Sequence, residues 1–135
     1  MYDKRELFWN NLLSIDCLEK NNIIMGGYLN FSLGKYEIWG PTDRVDNLFD
    51  FCAMKMFEHG LLDIEPSKLF PTWSNKRVGH DKICKRLDRF LVSTDLMDNH
   101  FIFWQWVGQS VVLDHYLMML QINKGEQKSH CCSRV

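Results

Sequence analysis

Beyond Gly60 the sequence divides into short extended runs, Leu61 to Ile64, Leu69 to Ser74, Arg86 to Val92, Phe101 to Val107 and His115 to Ile122, separated by Pro, Asn, Gly and Asp. Runs of this length bounded by turn formers are strands, and strands must pair. Only Ser93 to Asn99 interrupts them, as a single helical turn. Ahead of Gly60 the period changes. Phe8, Leu12, Ile15 and Leu18 recur at helical spacing and predict a helix over residues 4 to 20. A second helix is expected over residues 43 to 59, capped by Thr42 or Asp43, with Val45, Leu48, Phe49, Cys52 and Met56 on one face and Gly60 as terminator. Between the two, Ile23-Ile24-Met25 reads as a buried strand that stops at Gly26-Gly27 and hands Tyr28 to Phe31 to a loop. Strand ends are where α/β proteins place their chemistry.

Two helices early and strands after them predict an α/β (α+β) architecture, a sheet covered by helices on one face. A chain of 135 residues that is 46% hydrophobic builds one packed core. No linker divides residues 1 to 123, and residues 124 to 135 read as a polar, disordered tail. Phe49, Cys52, Met56, Leu91 and Ile24 are expected in the core. A formal net charge of −1 lacks the basic excess of many nucleic-acid binders, so charge points to no partner. Five cysteines without CxxC spacing exclude a disulfide framework and a zinc finger, and favour a reducing, intracellular setting, nuclear or cytoplasmic. The N-terminus has no signal-peptide core. The most apolar stretch, Phe101 to Leu113, is broken by Gln105, Gly108 and Gln109, so no membrane span is expected. His130-Cys131-Cys132 in the tail has metal-ligand chemistry but lies in a fraying segment.

Four short pieces carry the chemistry: Gly26-Gly27-Tyr28-Leu29-Asn30-Phe31, Pro71-Thr72-Trp73-Ser74-Asn75, Lys85-Arg86-Leu87-Asp88-Arg89-Phe90-Leu91-Val92-Ser93 and Leu113-Asp114-His115-Tyr116. Taken singly, each has a plainer account. An Asp-His pair is common, Asp88 is a ready partner for Arg86 or Arg89 on an exposed face, Asn30 after two glycines suits a left-handed turn, and Trp73, Trp104 and Trp106 suit a core or an edge strand. In this order they resemble the strand-end Gly-Asp-Phe/Leu-Asn, Thr-Trp, Arg-Ile/Leu-Asp and Ser-Asp-His motifs of the endonuclease/exonuclease/phosphatase family. The version with Trp73-Ser74-Asn75, Arg77-Val78-Gly79 and Arg86-Leu87-Asp88-Arg89-Phe90 is similar to the apurinic/apyrimidinic endonuclease-like domains of plant LINE-type retrotransposons. The resemblance spans residues 1 to 123 and implies approximately the second half of a four-layer α/β sandwich.

What the resemblance implies for chemistry is hydrolysis of DNA phosphodiesters with Mg2+, whose charge neutralises the phosphoryl oxygens. His115 would handle protons with Asp88 orienting its ring, and Asp114 would lie at the metal or its waters, where a hard oxygen suits magnesium. Asn30 would donate to a phosphoryl oxygen. Thr72 and Trp73 would lie either beside the scissile strand or in its supporting core.

The departures from the family pattern are as informative. Tyr28 stands where the family has the Asp that prepares water, and a phenol with a reference pKa of about 10 is a poor base at neutral pH. Losing a positioned acid or base costs about 100- to 10,000-fold in rate. Leu113 replaces the Ser of Ser-Asp-His, and Leu117 replaces the Pro that usually follows. The family's earlier Asn and metal-binding Glu motifs have no counterpart. The family packs two sheets face to face, of which this chain is expected to supply roughly one. The expectation is therefore a chain that does not cleave by itself, with partners being DNA, a complementing N-terminal half or a second copy. The alternative class is a non-catalytic interaction fragment, a pseudoenzyme.

Overall fold

The computed structural model describes residues 4–16, 22–42 and 44–125, the side chains of 110–112 excepted. Two antiparallel sheets face one another. The first has the order β1 (Ile24–Tyr28), β6 (Asp88–Ser93), β3 (Leu61–Asp63); the second runs β2 (Ile38–Trp39), β5 (Cys84–Lys85), β4 (Trp73–Ser74), β8 (His115–Lys124), β7 (Phe101–Val112). The chain therefore contributes strands to both sheets, not one sheet as expected. Its hydrophobic alternation shows which residues are buried but not which sheet they join.

Residues opposite one another in an antiparallel pair share a face, so Tyr28, Gly26 and Ile24 lie with Asp88, Phe90 and Val92 on the side facing the second sheet. Phe90 and Val92 pack there with Ile64, Leu96, Phe101, Phe103 and Leu120, which forms the core between the sheets. The other face of the first sheet presents Leu91 and Leu61 to α1 (Lys4–Leu13) and α2 (Phe49–Glu58). Trp9, Leu13, Leu48, Cys52 and Met56 complete that second core. The layers are helix, sheet, sheet. On the outer face of the second sheet Ile102, Trp104, Trp106, Leu117 and Met119 stay exposed, so the tryptophans of β7 are edge-strand residues outside the core.

Several boundaries differ from expectation for local reasons. α1 ends at Leu13 and buries Trp9 and Leu13, an i, i+4 pair that meets Phe31, while Phe8 and Ile15 remain exposed. α2 begins at Phe49, because Asp46 accepts the Leu48 amide at 3.0 Å and turns the chain there; Asp43 lies outside the described residues. Gly60 ends α2 with a left-handed φ of 59°, as expected of a C-terminal glycine. β1 runs on through both glycines to Tyr28. A side chain at Gly26 would strike the Phe90 ring, so that glycine serves close packing inside a strand and makes no turn. Of the five expected core residues, Cys52, Met56 and Leu91 are buried, Phe49 is half-buried and Ile24 is 42% exposed on β1. α3 (Thr94–Asp98) is the expected single turn. The His130-Cys131-Cys132 cluster lies outside the described residues. No helix among the described residues is long and apolar enough to cross a membrane.

Candidate active site

Four strands from two sheets deliver the site. Asp88 opens β6 and His115 opens β8, and His115 Nδ1 lies 2.8 Å from Asp88 Oδ2. With the carboxylate as acceptor the ring donates from Nδ1, which leaves Nε2 as the free position. The pair is part-buried, the His115 side chain 27% exposed and Asp88 13%. Asp88 is thus a partner of His115 and not of the neighbouring arginines.

Asp114 sits in the two-residue turn between β7 and β8. Its Oδ2 accepts the indole N–H of Trp73 at 2.8 Å, its main-chain oxygen accepts the Ser74 amide, and Oδ1 lies 3.8 Å from His115 Nε2. The Trp73 hydrogen bond chiefly, helped by His115 and Lys76, holds its carboxyl below the usual carboxylate value. Its turn partner Leu113 has φ 57° and is 80% exposed. A leucine is poorly suited to that left-handed backbone.

Thr72 is fully buried, and its hydroxyl accepts the Leu87 amide at 2.9 Å and the Asp88 amide at 3.0 Å. Its own carbonyl takes the Tyr116 amide. One residue therefore ties the start of β6 to the start of β8 from beneath, and its burial leaves it no surface for a ligand. Of the two roles open for Thr72 and Trp73, both side chains make contacts of the supporting kind.

Tyr28 pairs with Asp88 across the ladder and sets its ring against His115, centroids 4.8 Å apart at an interplanar angle of 74°. Partial burial, then the charges of Asp88 and Asp114, push its phenol above the ordinary value against a smaller pull from Arg5. Asn30 is set apart. The amides of Leu29 and Asn30 both point to the Leu87 carbonyl, the mark of a bulge, and Asn30 takes φ 57°. Its carbonyl accepts Arg5 Nη1 at 3.2 Å, and among the described residues no hydrogen bond joins it to the His115–Asp88 pair. Here the left-handed-turn reading of Asn30 describes what the structure shows.

Behind the site lies an ionic cluster that sequence reasoning missed. Arg86 and Arg89 are buried and both bind Glu37 and Asp63: Arg86 Nη1 reaches Glu37 at 2.8 Å and Asp63 at 2.7 Å, Arg89 Nη1 reaches Asp63 at 2.9 Å, and Arg89 Nη2 bonds Glu37. The signal available was two arginines embedded in an apolar run, which only acids elsewhere can accommodate. The cluster fixes the chain on either side of Asp88. Among the described residues no group of three or more His, Cys, Asp or Glu is arranged to hold a metal.

The sequence matches no protein-family model and no curated protein. Among solved structures, the endonuclease domain of TRAS1, a telomere-specific non-LTR retrotransposon, superposes with a TM-score of 0.63 at 21% identity, over 93% of this chain and 54% of that one. The likeness is one of fold. The chain spans about half the length of that domain.

Proposed function

We propose that the chain carries the histidine-bearing part of an endonuclease active site of retrotransposon type, plant LINE-like in its motifs, which acts on DNA phosphodiesters inside the cell. The observation that carries this reading is the His115–Asp88 pair at 2.8 Å with Asp114 adjoining, formed from both sheets of an endonuclease-like fold. Asp88 orients the imidazole, and the free Nε2 is the atom from which a proton is exchanged with a phosphodiester oxygen. Thr72 holds Asp88 in place and Trp73 aims Asp114.

Magnesium would supply charge neutralisation at the phosphate, but the described residues do not make a site for it. Asp114 is a lone hard-oxygen ligand, one of its oxygens already taken by Trp73. No step is therefore assigned to a metal on these residues, and a further carboxylate from more of the fold is required. Tyr28, held neutral beside His115, does not serve as a base. The chain by itself is accordingly inactive.

The second reading, an interaction fragment without turnover, is favoured by Tyr28 packed against the imidazole. Nicking of supercoiled DNA with Mg2+ separates the two. The unmodified chain, and Tyr28→Asp alone, are expected at background. Tyr28→Asp joined to a complementary N-terminal half is expected to cut, and His115→Ala to abolish that cutting. Robust nicking by the unmodified chain that depends on His115 would overturn the inactivity. Failure of the completed protein to cut would leave the interaction fragment as the better reading.

A further inference from the structure

Trp9 and Leu13 take the core face of α1, which leaves the ring of Phe8 on the same helix 48% exposed. At the end of β1, Tyr28 is 50% exposed even though its ring meets His115. These two rings line one cavity of about 240 Å3, whose other walls are Lys4, Arg5, Leu29 and Asn30. Packing of the core does not require this arrangement, since it leaves apolar ring surface on both residues in water.

The polar groups of the cavity are of three kinds. Arg5 Nη1 binds the Asn30 carbonyl at 3.2 Å and Asp46 at 3.1 Å, which braces the start of α1 against the end of β1 and sets the walls before any ligand arrives. The part-buried Asn30 carboxamide makes no hydrogen bond among the described residues, so it offers a donor and an acceptor. Lys4 is exposed and makes no ion pair among the described residues. Aromatic faces, one amide and one free cation together match the base faces, base edge and phosphate of a nucleotide. An inorganic anion would leave the two rings without a role, and a purely apolar ligand would leave the amide unpaired.

We propose that this cavity is a subsite for one unpaired nucleotide of a DNA strand, its base stacked on Phe8 and Tyr28, its edge on Asn30 and its phosphate at Lys4. The inference rests on the nuclease reading, because the Tyr28 ring that walls the cavity also touches the His115 ring, 4.8 Å between centroids. It gives Tyr28 a part that a carboxylate in its place could not play. A ring stacks, and a phenol that stays neutral does not repel a phosphate. A base inside a duplex has its faces covered by neighbours and its edge by its partner, so the subsite selects single-stranded or locally opened DNA.

The test is binding, measured on the full chain without Mg2+ so that cleavage plays no part. The probes are a fluorescein-labelled single strand of about 12 nucleotides and the blunt duplex of the same sequence, followed by anisotropy. The single strand is expected to bind more tightly than the duplex. Phe8→Ala and Tyr28→Ala should each weaken it by about fivefold or more, the loss of one stacked base, while Tyr28→Phe keeps the ring and the affinity. Phe57→Ala, an exposed aromatic outside the cavity, should change nothing. Lys4→Gln should reduce the slope of log affinity on log salt by about 0.7, one phosphate contact. Should an alanine variant fail to fold, the side-chain amide resonances of Asn30 in the unmodified chain still report, and they should shift with the single strand and not with inorganic phosphate. The proposal is overturned if the duplex binds as tightly as the single strand, if Phe8→Ala and Tyr28→Ala bind like the unmodified chain, if Phe57→Ala weakens binding as much as they do, or if the Asn30 amide does not shift. A completed protein that cuts DNA but ignores Phe8→Ala in this assay would sink the subsite and leave the nuclease reading standing; ring-dependent binding without cutting would do the reverse.

Discussion

The Asp88 carboxylate stands 2.8 Å from Nδ1 of His115, one residue on each of two facing sheets. Because a carboxylate accepts and cannot donate, this contact selects, for the neutral ring, the tautomer with hydrogen on Nδ1. Long-range 1H–15N spectra of the unmodified chain should show that tautomer, and Asp88→Asn, whose amide offers either partner, should relax the preference. A ring protonated on Nε2 in the unmodified chain would remove the basis for Nε2 as the proton-exchanging atom.

Thr72 bears on the same pair through stability. Its hydroxyl satisfies two otherwise orphaned amides under Asp88, and each buried donor left without a partner costs about 1–3 kcal/mol. Thr72→Val keeps the shape and loses the oxygen; Thr72→Ser keeps the oxygen. In urea titrations the valine variant should be less stable than the serine variant by at least about 1 kcal/mol. Equal midpoints would show that the hydroxyl is not what fixes the start of β6.

Acid should loosen the cluster around Glu37. Burial pushes this carboxyl up, but the hydrogen bond and charge of Arg89, with the Leu33 amide and Arg86, outweigh it and hold the group below its ordinary value of 4.5. A depressed carboxyl contributes stability that is whole above 4.5 and is lost as pH falls through the lower folded value. Glu37→Gln leaves two buried guanidiniums to share the single carboxylate of Asp63 and should cost about 3–5 kcal/mol at pH 7. Unfolding midpoints measured down to pH 3 should also fall less steeply in that variant, and an unchanged acid limb would contradict the assignment.

At the turn between β7 and β8 the sequence departs from its resemblance at a position that is strained as well. Leu113 sits at φ 57°, where a Cβ is disfavoured by roughly 1–2 kcal/mol. Its side chain is almost fully in solvent, so little packing is lost on removing it. Leu113→Gly should raise the melting temperature, by strain relief of about 1 kcal/mol. A fall in melting temperature would mean the exposed leucine holds the turn by some other contact.

Much of this architecture was legible before the coordinates, and the reasons for the remainder are specific. The four motifs identified Asp88, Asp114 and His115 as neighbours because their order along the chain maps onto strand ends that meet. Tyr28 followed from the same mapping. Asn30 follows Tyr28 at the same strand end with its amide on the Leu87 carbonyl, but a bulge at Leu29 and Asn30 turns the chain after β1, and nothing in the residue types predicts an extra residue in a ladder. α1 was assigned the wrong face since Phe8 and Leu12 offer as good a period as Trp9 and Leu13; the choice is made by Phe31, which is remote in sequence. β2 and β5 were missed, being two-residue strands in segments without alternation. The Glu37 and Asp63 partners of Arg86 and Arg89 lie outside any local window, as buried charge pairs generally do.

The separation in sequence between β1 and β6 also governs the order of assembly. β7 and β8 are joined by a two-residue turn, and such hairpins close in about 1–10 μs. β1 meets β6 through pairs such as Ile24 with Val92, a loop closure across half the chain that folding must complete without local help. His115 and Asp114 are therefore in place on their hairpin while Asp88 still waits for its sheet. The Asp88–His115 contact is expected to form after the hairpin, and a kinetic probe at that contact should report a slower phase than one within β7 and β8.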